Sequence, residues 1–213
     1  MISKGRKFFG ILLIIIIIIT LALLGYLAYK YISDYLISKE AASAVDEFEN
    51  LVITVEIEDE NKNENEENIV NTTQPVTSTN VNYKGYNVIG TIQIPKTNVK
   101  YPIVDSTSPN AMSVAIVMLY GPGLNQIGNT VIVGHNYKNG GFFGNNNKLS
   151  IGDKIYITDI SGNKIEYTIY NKYITSDSDF SYATRNTNGK REISLSTCTS
   201  DSSKRLVIWA KEN

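Results

Sequence analysis

The sequence predicts an all-β barrel or sandwich carried behind one membrane-spanning helix and a polar spacer. Three observations predict it. An uncharged apolar run lies near the amino end, and an acidic, then Asn- and Thr-rich stretch follows it. From Tyr83 onward, short β-rich segments alternate with turn formers and show no βαβ rhythm. The 213 residues, 42% hydrophobic and 19% charged, suit one globular domain with appendages. A formal net charge of -1 argues against a nucleic-acid partner, which calls for a basic face. One Cys and one His exclude an internal disulfide, a Cys-based zinc cage and a multi-His metal site.

The first element, Phe8 to Tyr29, reads FFGILLIIIIIITLALLGYLAY without a charge. About 20 such residues rise ~30 Å as a helix, enough to cross the hydrocarbon core of a bilayer. Tyr26, Tyr29, Tyr31 and Tyr35 lie where an interfacial aromatic belt belongs. The small-x-small triplet Ala42-Ser43-Ala44 is separated from the run by Lys30, Asp34, Lys39 and Glu40, which favours an uncleaved anchor over a signal peptide. Lys4, Arg6 and Lys7 precede the span, so the positive-inside rule keeps residues 1–7 in the cytoplasm and exports the rest of a single-pass chain.

Residues 30–82 are expected to be a juxtamembrane helix and linker. Ile37, Ala41, Val45, Phe48 and Val52 recur at helical spacing, as an amphipathic extension or, with too few heptads to favour it, a dimerising stripe. The stretches 56–68 (EIEDENKNENEEN) and 71–82 bury too little apolar surface to offset their ordering entropy and read as a mobile spacer. As flexible coil, ~35–40 residues span an r.m.s. of ~35 Å. The acidic run lacks the spacing of a calcium loop.

Within 83–213, strands are expected at 88–94, 98–104, 114–120, 129–135, 153–158, 164–174, 192–198 and 205–211, with one short helical turn around Pro109–Ser113. Pro95-Lys96-Thr97-Asn98, Gly121-Pro122-Gly123, Asn139-Gly140-Gly141 and Ser161-Gly162-Asn163 supply the turns. Eight short strands in succession point to a closed barrel or sandwich. The Gly-rich 139–147 lacks the Gly-Lys-Ser/Thr ending of a phosphate loop and reads as a hairpin connection.

Three side chains at strand ends carry the chemistry. Along EISLSTC, Ile193, Leu195 and Thr197 share one face, and Ser194, Ser196 and Cys198 the other, so the thiol is expected on a polar, accessible face. His135 ends NTVIVGH, and Arg205 opens the last strand, seven residues beyond the Cys across a polar return. Taken singly, a free Cys is most often a small buried hydrophobe, a lone His a satisfied edge residue and a strand-edge Arg a surface residue. Taken jointly, they supply a nucleophile, an acid/base and an oxyanion partner. A thiolate is favoured by a neighbouring cation, a guanidinium stabilises a developing oxyanion, and an imidazolium protonates a leaving amine.

The same segments resemble the sortases, membrane-anchored cysteine transpeptidases of Gram-positive bacteria. Leu195-Ser196-Thr197-Cys198 resembles the family's Leu-x-Thr-Cys strand, Val133-Gly134-His135-Asn136 its Gly-His strand end, and Arg205-Leu206-Val207-Ile208 the strand with its active-site Arg. Phe142-Phe143, Lys148-Leu149 and Gly152-Asp153 follow the His as expected. Gly90-Thr91-Ile92-Gln93-Ile94-Pro95 and Tyr101-Pro102-Ile103-Val104 resemble the barrel entry, so the likeness covers residues 86–211 in order.

The resemblance implies an eight-stranded sortase barrel whose groove receives a sorting signal of the Leu-Pro-x-Thr-Gly kind. It implies Cys198 as the nucleophile that forms a thioester, His135 as acid/base and Arg205 as holder of substrate and oxyanion. Thr197 and Asn136 are implied as substrate contacts. The implied partners are proteins bearing a C-terminal sorting signal, a peptidoglycan-precursor or pilin amine as acceptor, and membrane lipid, with no nucleic acid. No organic cofactor is implied; some relatives use Ca²⁺, for which no ligand set is identifiable here. The short 175–191 segment and the lack of an Asp-Pro-aromatic lid favour a class D-like member, with class B, A or E also open. Two alternatives stand beside this reading: a surface-displayed β-barrel binding module without catalysis, and a sortase-fold cysteine protease that passes its acyl group to water.

Overall fold

The computed structural model describes residues 4–62 and 81–213, and within them two compact units, Met1–Ile37 and Ser38–Asn213. The first helix, α1 (Lys4–Lys62), runs through the end of the first unit and the start of the second. From Phe8 to Leu36 its apolar side chains are exposed, and by length and composition this is the one helix among the described residues able to cross a membrane. Residues 56–62, expected as coil, are helical. Glu and Lys are good helix formers, and extending an existing helix avoids the cost of nucleation. The remainder of the expected spacer, 63–80, lies outside the described residues.

The second unit begins at Ser38, where the sequence reading placed its start at Tyr83. Ala41, Val45 and Phe48 are each fully buried, so the apolar stripe is covered within the unit. Polar contacts flank that stripe: Lys84 pairs with Glu40 at 2.7 Å, Lys100 with Asp46 at 2.7 Å and Glu49 at 3.3 Å, and Gln93 donates to Glu49 at 2.6 Å. The spacing of 41, 45 and 48 that read as amphipathic thus finds its partner in this unit's own strands.

Nine strands follow: β1 (Asn82–Tyr83), β2 (Tyr86–Ile94), β3 (Val99–Val104), β4 (Ile116–Tyr120), β5 (Gly128–Val133), β6 (Lys154–Asp159), β7 (Lys164–Ser176), β8 (Arg191–Cys198) and β9 (Lys204–Glu212). The short helix α2 (Pro109–Val114) stands where the helical turn was expected, with Ser108 accepting from the Ala111 amide as its N-cap. Strands β2 to β9 order as β2-β3-β4-β5-β8-β9-β7-β6, and β6 pairs back onto β2, closing an eight-stranded barrel with β1 as a two-residue addition. Closure leaves none of those eight strands at a sheet edge. β2 carries a bulge between Val88 and Gly90, and from Gly90 to Gln93 it pairs with β3 on one side and β6 on the other. A Cβ on Gly90 would stand 2.4 Å from the Thr158 carbonyl oxygen, so only glycine lets the strands approach there.

Ile92, Ile132, Ile155, Ile157, Tyr167, Ile193 and Leu195 are among the buried side chains of the barrel. The connection between β7 and β8 covers part of the outer surface, where Val131, Tyr182, Ala183 and Val207 form a second small core with Tyr173 and Trp209 against it. A buried polar network fastens the connection. Arg185 pairs with Glu192, donates to Ser194 and Asn129, and lies 4.7 Å from the Trp209 ring centroid.

Candidate active site

The strand β8 leaves the barrel at Cys198 and returns as β9, with Cys198 and Arg205 as the last opposed pair of the antiparallel ladder. Opposed residues of such a ladder project on the same face. The Arg205 guanidinium accordingly donates from Nη1 to the Cys198 sulfur at 2.7 Å. The return is a turn capped by its own side chains. Thr199 N–H donates to the Lys204 carbonyl at 2.9 Å, and Asp201 accepts from the Thr199 hydroxyl at 2.6 Å and from the Ser203 amide at 3.1 Å. Those donors, the Thr199 hydroxyl foremost, hold the Asp201 carboxyl down at about 2.

His135 arrives from a strand far away in sequence. β5 runs parallel to β8 as far as Val133 opposite Ser196, and His135 follows two residues beyond that last pair. Three bonds hold the crossing: Gly134 N–H to Ser196 carbonyl at 3.4 Å, Thr197 hydroxyl to Gly134 carbonyl at 2.7 Å, and Asn136 amide to Cys198 carbonyl at 2.8 Å. Burial pushes the His135 pKa below the ordinary imidazole value, because it withholds the water that would solvate the charged ring.

The chain after His135 folds tightly onto the barrel. Phe142 and Phe143 are buried, Asn136 bridges to Phe142, and the Phe143 amide donates to the His135 carbonyl at 3.0 Å. A Cβ on Gly144 would fall 2.2 Å from the Tyr137 carbonyl oxygen, so this hairpin has no room for any larger residue. Lys172 of β7 donates to the Asn147 and Leu149 carbonyls at 2.7 Å each, pinning the far limb. Between this hairpin, β7 and the β8–β9 turn lies a cavity of about 550 Å³, lined by Cys198 with Thr197, Asn136, Phe143, Tyr173, Ile174 and Leu206 among others. Its wall is mostly apolar, and Lys172 is the one charged residue lining it. Among the described residues no group of three or more His, Cys, Asp or Glu side chains is placed to hold a metal ion.

The structure therefore brings Cys198 and Arg205 into direct contact and ties the segment that carries His135 to the end of β8 through Gly134 and Asn136. Thr197 and Asn136, the expected substrate contacts, both line the cavity. The hydroxyl of one and the amide of the other hold backbone carbonyls of the crossing strands. The polar face expected to be accessible is buried over most of its length. Ser194 and Ser196 lie under the β7–β8 connection, Tyr182 donating to Ser196 at 3.2 Å, and only the last position, Cys198, is half-exposed. Alternation alone carries no sign of that cover, since it describes one strand and the cover comes from another segment. Lys172, Tyr173 and Ile174 were not foreseen either: β7 reads as an ordinary strand, and its place on the cavity comes from pairing with β9.

Residues 92–213 match the family model for the sortase domain. Among solved structures, a Clostridium perfringens sortase D5 transpeptidase matches with TM-score 0.60 at 23% identity, covering 82% of this chain and 99% of its own. Sortase C1 from Streptococcus suis matches with TM-score 0.55 at 25% identity, covering 60% of this chain and 74% of its own. A Clostridium perfringens sortase C, solved with the C-terminal cell wall sorting motif, matches with TM-score 0.54 at 18% identity over 83% of this chain and 89% of its own. Among curated proteins there is no match.

Proposed function

The chain belongs to the sortase family of cysteine transpeptidases, and from that premise we propose that Cys198, His135 and Arg205 cleave an LPxTG-like sorting signal between Thr and Gly and transfer the acyl part to an amine. The observation that carries the reading is the 2.7 Å contact between the Arg205 guanidinium and the Cys198 sulfur at the mouth of the cavity.

The thiol proton passes to His135 as the sulfur attacks the Thr carbonyl carbon. Negative charge moves from sulfur to the carbonyl oxygen, and the Arg205 guanidinium, already beside the sulfur, follows it as the oxyanion partner. The tetrahedral intermediate collapses, the C–N bond breaks, and the proton held by His135 goes to the leaving Gly amine. A thioester on Cys198 remains. An incoming amine then attacks that carbonyl, gives its proton to His135, and releases the product as the sulfur leaves and regains a proton. Burial lowers the His135 pKa, so the ring, once protonated, gives up its proton readily to the leaving amine.

The acceptor in this reading is a peptidoglycan precursor or a pilin amine, and the donor a protein with a C-terminal sorting signal. The exposed apolar part of α1 anchors the chain in the membrane, and Lys4, Arg6 and Lys7 hold the amino end in the cytoplasm, leaving the barrel outside. The catalytic unit comprises the barrel, 83–213, together with the helical segment from Ser38 that the fold adds to it.

The test uses the full chain in detergent micelles. Mixed with a sorting-signal peptide, the wild type yields a mass adduct on Cys198, and an added amine diverts product from hydrolysis to transfer. Cys198→Ala abolishes both, with rate losses of several orders of magnitude. Unchanged turnover in Cys198→Ala overturns the assignment, and product ratios insensitive to amine favour the hydrolase alternative.

A further inference from the structure

The His135 carbonyl accepts from the Phe143 amide, and the His135 ring packs against the ring of Tyr137. The two ring centroids are 5.3 Å apart with the planes at 41°. Tyr137 in turn packs on Phe142, centroids 5.4 Å apart, and Phe142 is fully buried and packs edge-on against Tyr101 of β3 at 4.8 Å. The Tyr137 hydroxyl donates to the Ser113 carbonyl at 3.0 Å, and Ser113 belongs to the last turn of α2. A carbonyl in the last turn of a helix has no partner within the helix, so this bond answers an existing need in α2 while fixing the phenol's far end. Gly144, crowded against the Tyr137 carbonyl, fixes its near end. One aromatic side chain, clamped at both ends and backed by a buried stack, thus forms a wall against the imidazole.

We propose that Tyr137 is a positioning residue for His135: it sets the imidazole's orientation toward Cys198 and shields one side of the ring from water. The inference rests on the reading of His135 as the acid/base given above. Edge and tilted aromatic pairs have preferred geometries, so a fixed phenol restricts the imidazole's rotation about its side-chain bonds. A shielded ring also loses hydration that its charged form needs, in keeping with its depressed pKa. The other ionisable groups at this rim are Cys198 of β8, Arg205 of β9, Lys172 of β7 and Lys138 on the same hairpin, and none of them is altered in the test.

The experiment compares Tyr137→Phe, Tyr137→Leu and His135→Ala in the full chain in micelles, measuring kcat, KM and the imidazole titration by NMR. The chain has a single His, so its ring signals need no assignment. Tyr137→Phe keeps the ring and holds kcat within about threefold. Tyr137→Leu keeps apolar bulk but not the ring; kcat falls at least ~10-fold with KM nearly unchanged, in the ~10- to 100-fold range of lost orienting contacts. The imidazole midpoint rises toward ~6.5 in Tyr137→Leu. A merely structural role lowers the unfolding midpoint without moving that titration. His135→Ala with full activity overturns the role of His135 and this inference with it. Inactive His135→Ala combined with wild-type kcat and imidazole titration in Tyr137→Leu overturns this inference alone, and the titration alone decides it if turnover in the Leu variant is too low to measure.

Discussion

Glu192→Gln gives the sharpest test of how the β7–β8 connection is held over the outer face of the barrel. The side chains of Arg185 and Glu192 are 10% and 9% exposed, so water screens their pairing little. Arg185 also donates to Asn129 and Ser194 and stacks 4.7 Å from the Trp209 ring centroid, and Tyr170 donates its hydroxyl to the same Glu192 carboxylate. Gln keeps the shape and removes the charge, stranding a guanidinium in this setting. Breaking a buried pair by removing one partner costs ~3–5 kcal/mol, and an isostere belongs at the lower end, ~3 kcal/mol. For a unit of 150–250 residues each kcal/mol moves the midpoint by ~2–4 °C, so the expected fall is ~6–12 °C. Trp209 is the only Trp and reports the event by fluorescence in a thermal melt of the full chain in micelles. Arg185→Met strands the carboxylate and is expected to do comparable damage. The double variant strands neither charge and recovers at least ~2 kcal/mol relative to the sum of the singles. Single variants within 1 kcal/mol of wild type, or strictly additive effects, refute the reasoning.

Three further outcomes follow from other parts of the molecule. Burial lowers the His135 pKa, so its NMR titration midpoint lies below the ordinary ~6.5. With the sign worked through, the unfolded chain takes up a proton that the folded one resists, and stability falls as pH drops below ~6.5, measurable as a midpoint that declines between pH 7 and 5 and ceases to do so in His135→Ala. Asp201, held at about 2 by the Thr199 hydroxyl and the Ser203 donors, supports its turn fully above the ordinary carboxylate pKa of ~4 and loses that support as pH falls through about 2; its carboxyl carbon should titrate there, and Asp201→Asn should lower kcat by loosening the Cys198–Arg205 return. Phe48 is fully buried, and Phe48→Ala should remove ~3–5 kcal/mol from the second unit; an unchanged melt would show that the helical segment is not part of the cooperative fold.

How much of this was legible in the sequence differs by link. The eight barrel strands stand within two or so residues of their expected positions, because each alternates or is β-branched between strong turn formers. The contact of Arg205 with Cys198 was legible too, since a short polar return leaves a strand pair little choice of register. The parallel pairing of β5 with β8, which carries the His135 segment toward the end of β8, has no local signal in the sequence. The stripe Ala41, Val45, Phe48 was visible as amphipathic, but periodicity names the buried face and not what buries it. Arg185 gave no signal. A buried Arg is recognised only from the carboxylate, amide and indole that other segments bring to it.

The three groups of the site are not equally easy to assemble during folding. Sulfur and guanidinium are joined across a separation of 7 residues, a hairpin whose closure is fast and inexpensive in entropy. The tie that brings the His135 segment to the same place spans 62 residues, with β6 and β7 lying between its two ends along the chain. A chain in which only the hairpin has formed pairs the thiol with a cation while the His135 segment is still apart. Bringing the two parts of the candidate site together is thus the costlier step, because it asks for order across a large part of the barrel.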